Sequence, residues 1–151
     1  IPPQREVLMK YIGFFALLLG LSAHAQNPLI RVCLVTEGEF HVYDFPNTSD
    51  YAADQYAFCQ YEGTSAIDAI SLFQVTGNLG KTMAVLAFEE TLKTPALTCG
   101  DASYQIGTDQ DEKRIEVCMF EDKSLIELNT LKLGYTADEN KNLVKAVETR
   151  F

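Results

Sequence analysis

The feature that most constrains the fold is a short pattern that occurs twice, each time at a cysteine. Residues 58–68 and 117–127 share the order Cys-x-aromatic-Glu-x-x-Ser-x-Ile-acid. A shift of 59 residues superposes Cys59 on Cys118 and needs no gap as far as the last residue of the chain. Self-similarity at a fixed period is typical of chains built from repeated units. The pattern therefore predicts a duplicated module.

Each copy carries strand patterns followed by helix patterns. The first copy predicts strands over 30–35, 39–43 and 56–61, then a capping box at Ser65–Asp68 that opens a helix, and a second helix over 81–93. The second copy predicts strands over 99–107 and 114–120, with capping boxes at Ser124–Glu127 and Thr136–Glu139.

The element order predicts an α+β fold. We expect two tandem similar modules, residues 26–95 and 96–151, which pack together. Each module is a small antiparallel β hairpin or sheet with two helices and one disulfide. Whether the two modules share one core is left open by the pattern.

The first 25 residues indicate a targeting segment. Residues 9–25 combine a basic Lys10, an apolar run and an Ala-x-Ala sequence, which predicts a secretory signal peptide cleaved after Ala25. The apolar run is shorter than the roughly 20 residues that span a bilayer, so we expect no stable membrane span after cleavage. Residues 1–8 precede Met9 and are set aside as an upstream extension. These features predict a periplasmic or secreted protein.

All four cysteines follow the predicted cleavage site. An even number of cysteines in an exported chain implies two disulfides, and four cysteines allow three pairings. The repeat favours one bridge in each copy, Cys33–Cys59 and Cys99–Cys118. Zinc-ligand spacing is absent because no Cys-x-x-Cys pair occurs, so we expect neither a metal nor a cofactor.

The sequence gives little support for a catalytic site or for nucleotide binding. The net charge of −9 repels phosphate backbones, so nucleic acid is not expected as a partner. His41 is the single histidine after the cleavage site, and no serine has a nucleophile-elbow context. The 80–82 and 109–112 segments lack the glycines of a phosphate loop and of a calcium loop. No residue is assigned a catalytic role.

The most suggestive segment for binding is residues 40–61. It holds seven of the thirteen aromatic residues that follow the cleavage site, interleaved with aspartates. Aromatic and acidic side chains in a loop suit an unknown protein, a basic peptide or a glycan. For the rings, packing in the core is the competing interpretation. The candidate binding residues are Tyr43, Phe45, Tyr51, Asp44 and Asp50.

The second copy also resembles a known family. Residues 118–124, with Cys99 upstream, are similar to the Cys-x-Phe-x-Asp-Gly-Ser turn of small cysteine-rich secreted bacterial domains called hemolysins, a family of unknown function. Lys123 replaces the turn glycine, and the later cysteines and tryptophan of the family are missing. The resemblance implies a location in the bacterial envelope or outside the cell, and it supplies no active-site residue.

The leading hypothesis is a non-catalytic, exported, disulfide-stabilised protein that binds a partner. One alternative is a secreted hydrolase or hydrolase inhibitor that uses carboxylates such as Asp44, Glu62 or Glu121. Glu62 and Glu121 recur at matched positions of the repeat, which favours a structural role for both. Another alternative is a structural protein of the envelope.

Overall fold

The computed structural model of the protein describes residues 27–46 and 55–151. Its strands are β1 (Glu39–Asp44), β2 (Gln55–Gln60), β3 (Ala66–Asp68), β4 (Ser103–Thr108), β5 (Arg114–Met119) and β6 (Leu125–Glu127). Its helices are α1 (Pro28–Val35), α2 (Ala69–Thr76), α3 (Met83–Glu90), α4 (Leu128–Leu133) and α5 (Lys141–Glu148), with a 3₁₀ turn at Asp138–Asn140. The strands pair antiparallel into a closed barrel in the order β1-β2-β3-β6-β5-β4.

Strand alternation divides the apolar side chains between the inside of the barrel and its helix-covered outside. Along β2, Phe58 and Cys59 are both buried but belong to different clusters, because successive side chains point to opposite faces. The inner cluster comprises Tyr43, Phe45, Phe58, Ala66, Ile115, Val117, Met119 and Leu125. The outer cluster joins Cys59, Ile67, Cys118 and Ile126 to helix residues such as Val32, Leu72, Phe88 and Leu143.

The prediction of two tandem modules, each with its own hairpin or sheet, is wrong. β1-β2-β3 and β4-β5-β6 join into one barrel through Ile67, which pairs with Ile126, and Asp44, which pairs with Thr108. A three-stranded sheet from one copy alone would expose both an inner apolar face and two unpaired edges. Closing the barrel across the copies buries both at once.

The predicted capping boxes were also misplaced. The main chain that follows Ser65 and Ser124 forms the short strands β3 and β6, and the helices begin only after them. Asp68 and Glu127, expected to reach back to a serine cap, are themselves the N-cap residues of α2 and α4. Pairing with β2 and β5 holds both segments extended, which postpones each helix by three residues.

The segment predicted as the first strand is the helix α1. Asn27 caps it by accepting a hydrogen bond from Leu29 N, and Pro28 occupies the start of the first turn, where its missing N–H has no consequence. These two start signals outweigh the strand preference of the β-branched residues that follow. The residues between the first and second predicted strands, which include Glu37 and Gly38, therefore connect the helix α1 to β1.

Two disulfides fasten this architecture. Cys33 on α1 is bonded to Cys59 on β2, and Cys99 before β4 is bonded to Cys118 on β5, the pairing that the repeat favoured. Among residues 27–46 and 55–151, no helix is long and apolar enough to cross a membrane. The predicted extension (1–8), the predicted signal peptide (9–25), Asp50 and Tyr51 lie outside the described residues.

Candidate functional site

A concave site lies where β1 begins and β2 ends. Glu39 pairs with Gln60 across the β1–β2 ladder, so Glu37 before β1 and Glu62 after β2 reach the same rim. The cleft has a volume of about 410 Å³. We call it the acidic cleft, and its lining residues are Glu37, Glu39, Gln60, Tyr61, Glu62 and Thr64.

The aromatic ring of Tyr61 forms the floor of the acidic cleft. The side chain is buried, and its hydroxyl is hydrogen-bonded to Thr36 Oγ1 at 2.8 Å. A tyrosine hydroxyl is uncharged at neutral pH, and burial, which raises the pKa of Tyr61 to about 12, keeps it uncharged in more alkaline solution as well. Gly38 permits this position of the ring, since a Cβ there would lie 2.8 Å from a ring carbon. The floor is therefore a buried, uncharged ring.

The rim of the acidic cleft carries a surplus of negative charge. The side chains of Glu37 and Glu39 are 75% and 81% exposed, and Glu62 is also exposed. Glu37 Oε2 accepts a hydrogen bond from Lys145 Nζ at 3.4 Å, and Glu39 Oε2 pairs with His41 Nε2 at 3.1 Å. Exposed ion pairs of this kind contribute little to stability, so they break readily. An incoming cation can therefore compete for all three carboxylates.

A second cleft of about 600 Å³ adjoins the first and shares Gln60 and Thr64 with it. We call it the mouth cleft. Two basic and two acidic side chains balance there, so it has no charge preference comparable to that of the acidic cleft. Its other lining residues are Tyr43, Lys113, Arg114, Ile115, Glu116, Glu127 and Asn129.

Glu127 in the mouth cleft is a structural carboxylate. Its Oε1 accepts hydrogen bonds from Thr130 N and Thr130 Oγ1, both at 2.9 Å, and its Oε2 accepts one from Asn129 N at 2.5 Å. Burial raises the pKa of Glu127. Because both oxygens already hold the first turn of α4, the group is poorly placed to exchange a proton with a ligand.

Asp68 has the corresponding role at α2. Its Oδ1 accepts from Ser71 N at 2.8 Å, and its Oδ2 accepts from Ser71 Oγ at 2.6 Å and from Leu125 N at 2.8 Å. Burial is the main cause that raises the pKa of Asp68. The bond to Leu125 crosses from the first half of the barrel to the second. Ala66 N reciprocates by donating to Thr130 Oγ1 at 3.2 Å, so this polar network fastens the two halves together.

The structure separates the binding residues proposed from the sequence. Tyr43 is 4% exposed and Phe45 is fully buried, and both lie in the inner cluster. Tyr43 lines the mouth cleft, and its hydroxyl accepts a hydrogen bond from Gln60 Nε2 at 2.7 Å. Asp44 is exposed at the end of β1. The two rings and Asp44 therefore do not form an exposed aromatic loop, and the described residues say nothing of Tyr51 and Asp50.

The carboxylates proposed for a hydrolase are also far apart. Asp44 pairs with Gln55 at one end of the β1–β2 ladder, and Gln60 at the other end is about 16 Å away at the rise of a strand, with Glu62 beyond it. Glu121 precedes β6, which pairs antiparallel with β3, so it lies at the opposite end of that pair from Glu62. No two of these side chains flank a common substrate position. Within the described ranges, no group of three or more His, Cys, Asp or Glu side chains could hold a metal ion.

Sequence reasoning missed Glu37, Glu39 and the position of Tyr61. The one available signal was the density of glutamates on both sides of Gly38, next to a strand pattern. The approach of Glu62 to Glu37 depends on the register of the β1–β2 ladder, which a local pattern does not encode.

No family model, curated protein or solved structure matches the chain. The resemblance of residues 118–124 to the hemolysin family stays a prediction. The function must be inferred from the geometry and charge of the clefts.

Proposed function

We propose that the protein is an exported, disulfide-stabilised binding protein that holds a basic segment of a partner protein in the acidic cleft. The observation that carries the proposal is the convergence of three exposed carboxylates around a neutral, buried floor. A net charge of −9 over the whole chain adds a long-range attraction for a basic partner and accelerates the encounter.

A periplasmic or secreted location supports this role. Two disulfides persist in oxidising compartments and are rare where thiols are kept reduced. The predicted signal peptide over residues 9–25 and the resemblance of the second copy to secreted bacterial domains point to the same compartments. A small domain also gains stability from its bridges, because they constrain the unfolded chain.

A basic peptide suits the acidic cleft better than a glycan does. Sugar sites generally offer an aromatic face, and the Tyr61 ring is only 5% exposed. The three carboxylates are acceptors that match the ammonium and guanidinium donors of lysine and arginine. The mouth cleft, with its balanced charges, would then contact the neutral part of the bound segment.

The direct test is a titration with a fluorescein-labelled hexapeptide of alternating lysine and valine, with an aspartate–valine peptide as its negative control. We expect the basic peptide to bind at low ionic strength and to weaken as salt is added. Glu39→Gln and Glu62→Gln should each weaken binding about fivefold, the effect of removing one exposed charge pair of about 1 kcal/mol.

Glu121→Gln is the matched control, because Glu121 occupies the turn that corresponds to Glu62 at the other end of the barrel. Equal losses for Glu62→Gln and Glu121→Gln would refute the cleft as the binding site and leave only a general charge effect. Cleavage of peptides or glycans by the purified protein would instead favour the hydrolase alternative. Complete absence of binding would favour a structural role in the envelope.

A further inference from the structure

The seam of the barrel between β1 and β4 is nearly open. β1 pairs with β2 along all six of its residues, whereas its pairing with β4 consists of Asp44 and Thr108 alone. Within the described part of the chain, the rest of β1 has no strand partner on that side. With respect to residues 27–46 and 55–151, an unpaired edge therefore runs from the acidic cleft to Asp44.

The alternation of hydrogen bonds along β2 determines which groups of β1 are unpaired. Tyr61 N donates to Ser65 O on the side of β3, so Gln60, one residue earlier, faces β1. Its partner Glu39 therefore bonds to β2, and so does every second residue of β1 after it. The residues between them, whose main-chain groups point away from β2, are Phe40, Val42 and Asp44.

The pairing of Asp44 with Thr108 agrees with this assignment, since Asp44 must face outward to reach β4. Phe40 and Val42 are left with two N–H donors and two C=O acceptors that no described main-chain group satisfies. Val42 is 40% exposed, so the edge is accessible to a partner. Edge groups of this kind are the usual template for an added strand.

We propose that an extended basic segment of the partner protein adds to the open edge of β1 as a further strand, bonded to Phe40 and Val42. This inference rests on the proposed function, and it adds the way in which the segment is held. Main-chain hydrogen bonds supply affinity that is independent of the peptide sequence, and the acidic cleft selects lysine or arginine at the end of the strand.

The charges at the two ends of the edge favour a basic segment over a second copy of this chain. Glu37 and Glu39 lie at its start, and Asp44 and Asp109 lie at its end, because Asp109 follows the residue that pairs with Asp44. Antiparallel self-pairing of β1 about Val42 would place Asp44 of one copy opposite Phe40 of the other, next to the Glu39 of that other copy. Like charges on neighbouring strands destabilise such a pair, whereas a lysine in the added strand is attracted by Glu37 and Glu39 at the start of the edge.

Amide hydrogen exchange gives the first test, with the lysine–valine hexapeptide as the probe. In the free protein the amides of Phe40 and Val42 should exchange rapidly, and those of His41 and Tyr43, which bond to β2, should be protected. Saturating peptide should slow exchange at Phe40 and Val42 at least tenfold and leave the other two unchanged. Unchanged exchange at Phe40 and Val42 in the saturated complex would overturn the added strand.

N-methylated peptides give the second test. Only every second residue of an added strand bonds to the edge, so methylation of one alternate set of amides should weaken binding at least tenfold and methylation of the other set should have little effect. Val42→Pro removes an outward donor and should weaken binding similarly, with Val42→Thr as the matched control. Circular dichroism verifies that the proline variant is folded. Equal affinity for both methylated peptides would overturn the proposal.

These outcomes separate the two proposals. Binding that is lost in Glu62→Gln but insensitive to methylation and to Val42→Pro would reject the added strand and retain the acidic cleft. Absence of binding by any basic peptide would reject both, and the acidic residues would then serve to prevent edge-to-edge association. A dimer in analytical ultracentrifugation that Val42→Pro dissolves would identify a second copy as the occupant and overturn the choice of a basic segment.

Discussion

Gly107→Ala combined with Phe45→Leu offers the sharpest test of barrel closure. Phe45 follows β1 in the first half of the chain, and Gly107 lies on β4 in the second half. A Cβ at position 107 would lie 2.5 Å from one carbon of the Phe45 ring and 2.6 Å from another. These two residues touch only if β1 and β4 close the barrel, so their energetic coupling measures the closure.

The expected magnitudes follow from that contact. The added methyl group overpacks the inner cluster, which typically costs about 1–3 kcal/mol. Alanine leaves the unfolded chain less flexible than glycine does, and this offsets about 0.5–1 kcal/mol of that cost. We expect Gly107→Ala to lower the free energy of unfolding by about 1–2 kcal/mol. Phe45→Leu should cost about 1–3 kcal/mol by leaving a cavity. The methyl fills part of that cavity, so the double variant should lose about 1–2 kcal/mol less than the sum of the single losses.

Urea unfolding of the four proteins in the cycle, followed by circular dichroism, measures the coupling. The matched control is Gly107→Ala with Phe88→Leu, since Phe88 belongs to the outer cluster. That pair should be additive within about 0.5 kcal/mol. If the losses from Gly107→Ala and Phe45→Leu also added within about 0.5 kcal/mol, the two residues would not be in contact, and the closure of the barrel between β1 and β4 would be refuted.

Three further predictions concern the polar network and the bridges. Asp68→Ala removes the acceptor for Ser71 N and Leu125 N, so it should lower the free energy of unfolding in urea by about 2–4 kcal/mol. Asp138 is exposed, so the control Asp138→Ala should lower it by less than about 0.5 kcal/mol. Equal losses in the two variants would contradict the polar network around Asp68. Burial raises the pKa values of Asp68 and Glu127 above the ordinary 3.8 and 4.5, so the folded state keeps protons that the unfolded state has already released. The stability that these bound protons provide is complete below the ordinary pKa values and is lost as pH rises through the pKa values of the folded state. Asp68→Asn should therefore make the fall in unfolding free energy less steep as pH rises above about 4, and an identical slope would contradict the burial of the charge. Replacement of Cys33 and Cys59 by serine should cost about 3 kcal/mol in guanidinium unfolding, and mass spectrometry that finds four free thiols in the oxidised wild-type protein would contradict both bridges.

Much of the local structure could be predicted from the sequence, but the barrel could not. The alternation around Phe58 is a local signal that leads to β2, and the repeat leads to the observed pairing of Cys33 with Cys59. β3 and β6 are three residues long, and the Ser-x-x-acid spacing that contains them is equally typical of a helix start. Whether such a segment forms a strand or starts a helix depends on strands from the other copy, and these lie too far along the chain for a local sequence pattern to include them.

The candidate site, like the barrel, could not be predicted from local sequence patterns. Apolar side chains occupy both faces of this barrel, because the inside is packed and helices cover the outside, so alternation of polar and apolar residues could not tell that Tyr43 and Phe45 point inward. The acidic cleft depends on the pairing of Glu39 with Gln60, which brings together glutamates that are distant in the sequence. Neither the open edge of β1 nor its outward residues can be seen without that register.

The two junctions between the halves also determine when this protein can finish folding. Hairpins β1-β2-β3 and β4-β5-β6 form from neighbouring residues, but Ile67 must find Ile126, and Asp44 must find Thr108, across about half of the chain. Contacts of such sequence separation form slowly. During synthesis, the first three strands therefore present the apolar face around Phe58 before the second half of the barrel is available to cover it. A chain of this topology depends on rapid delivery of its second half, or on a chaperone that shields the first, to avoid aggregation.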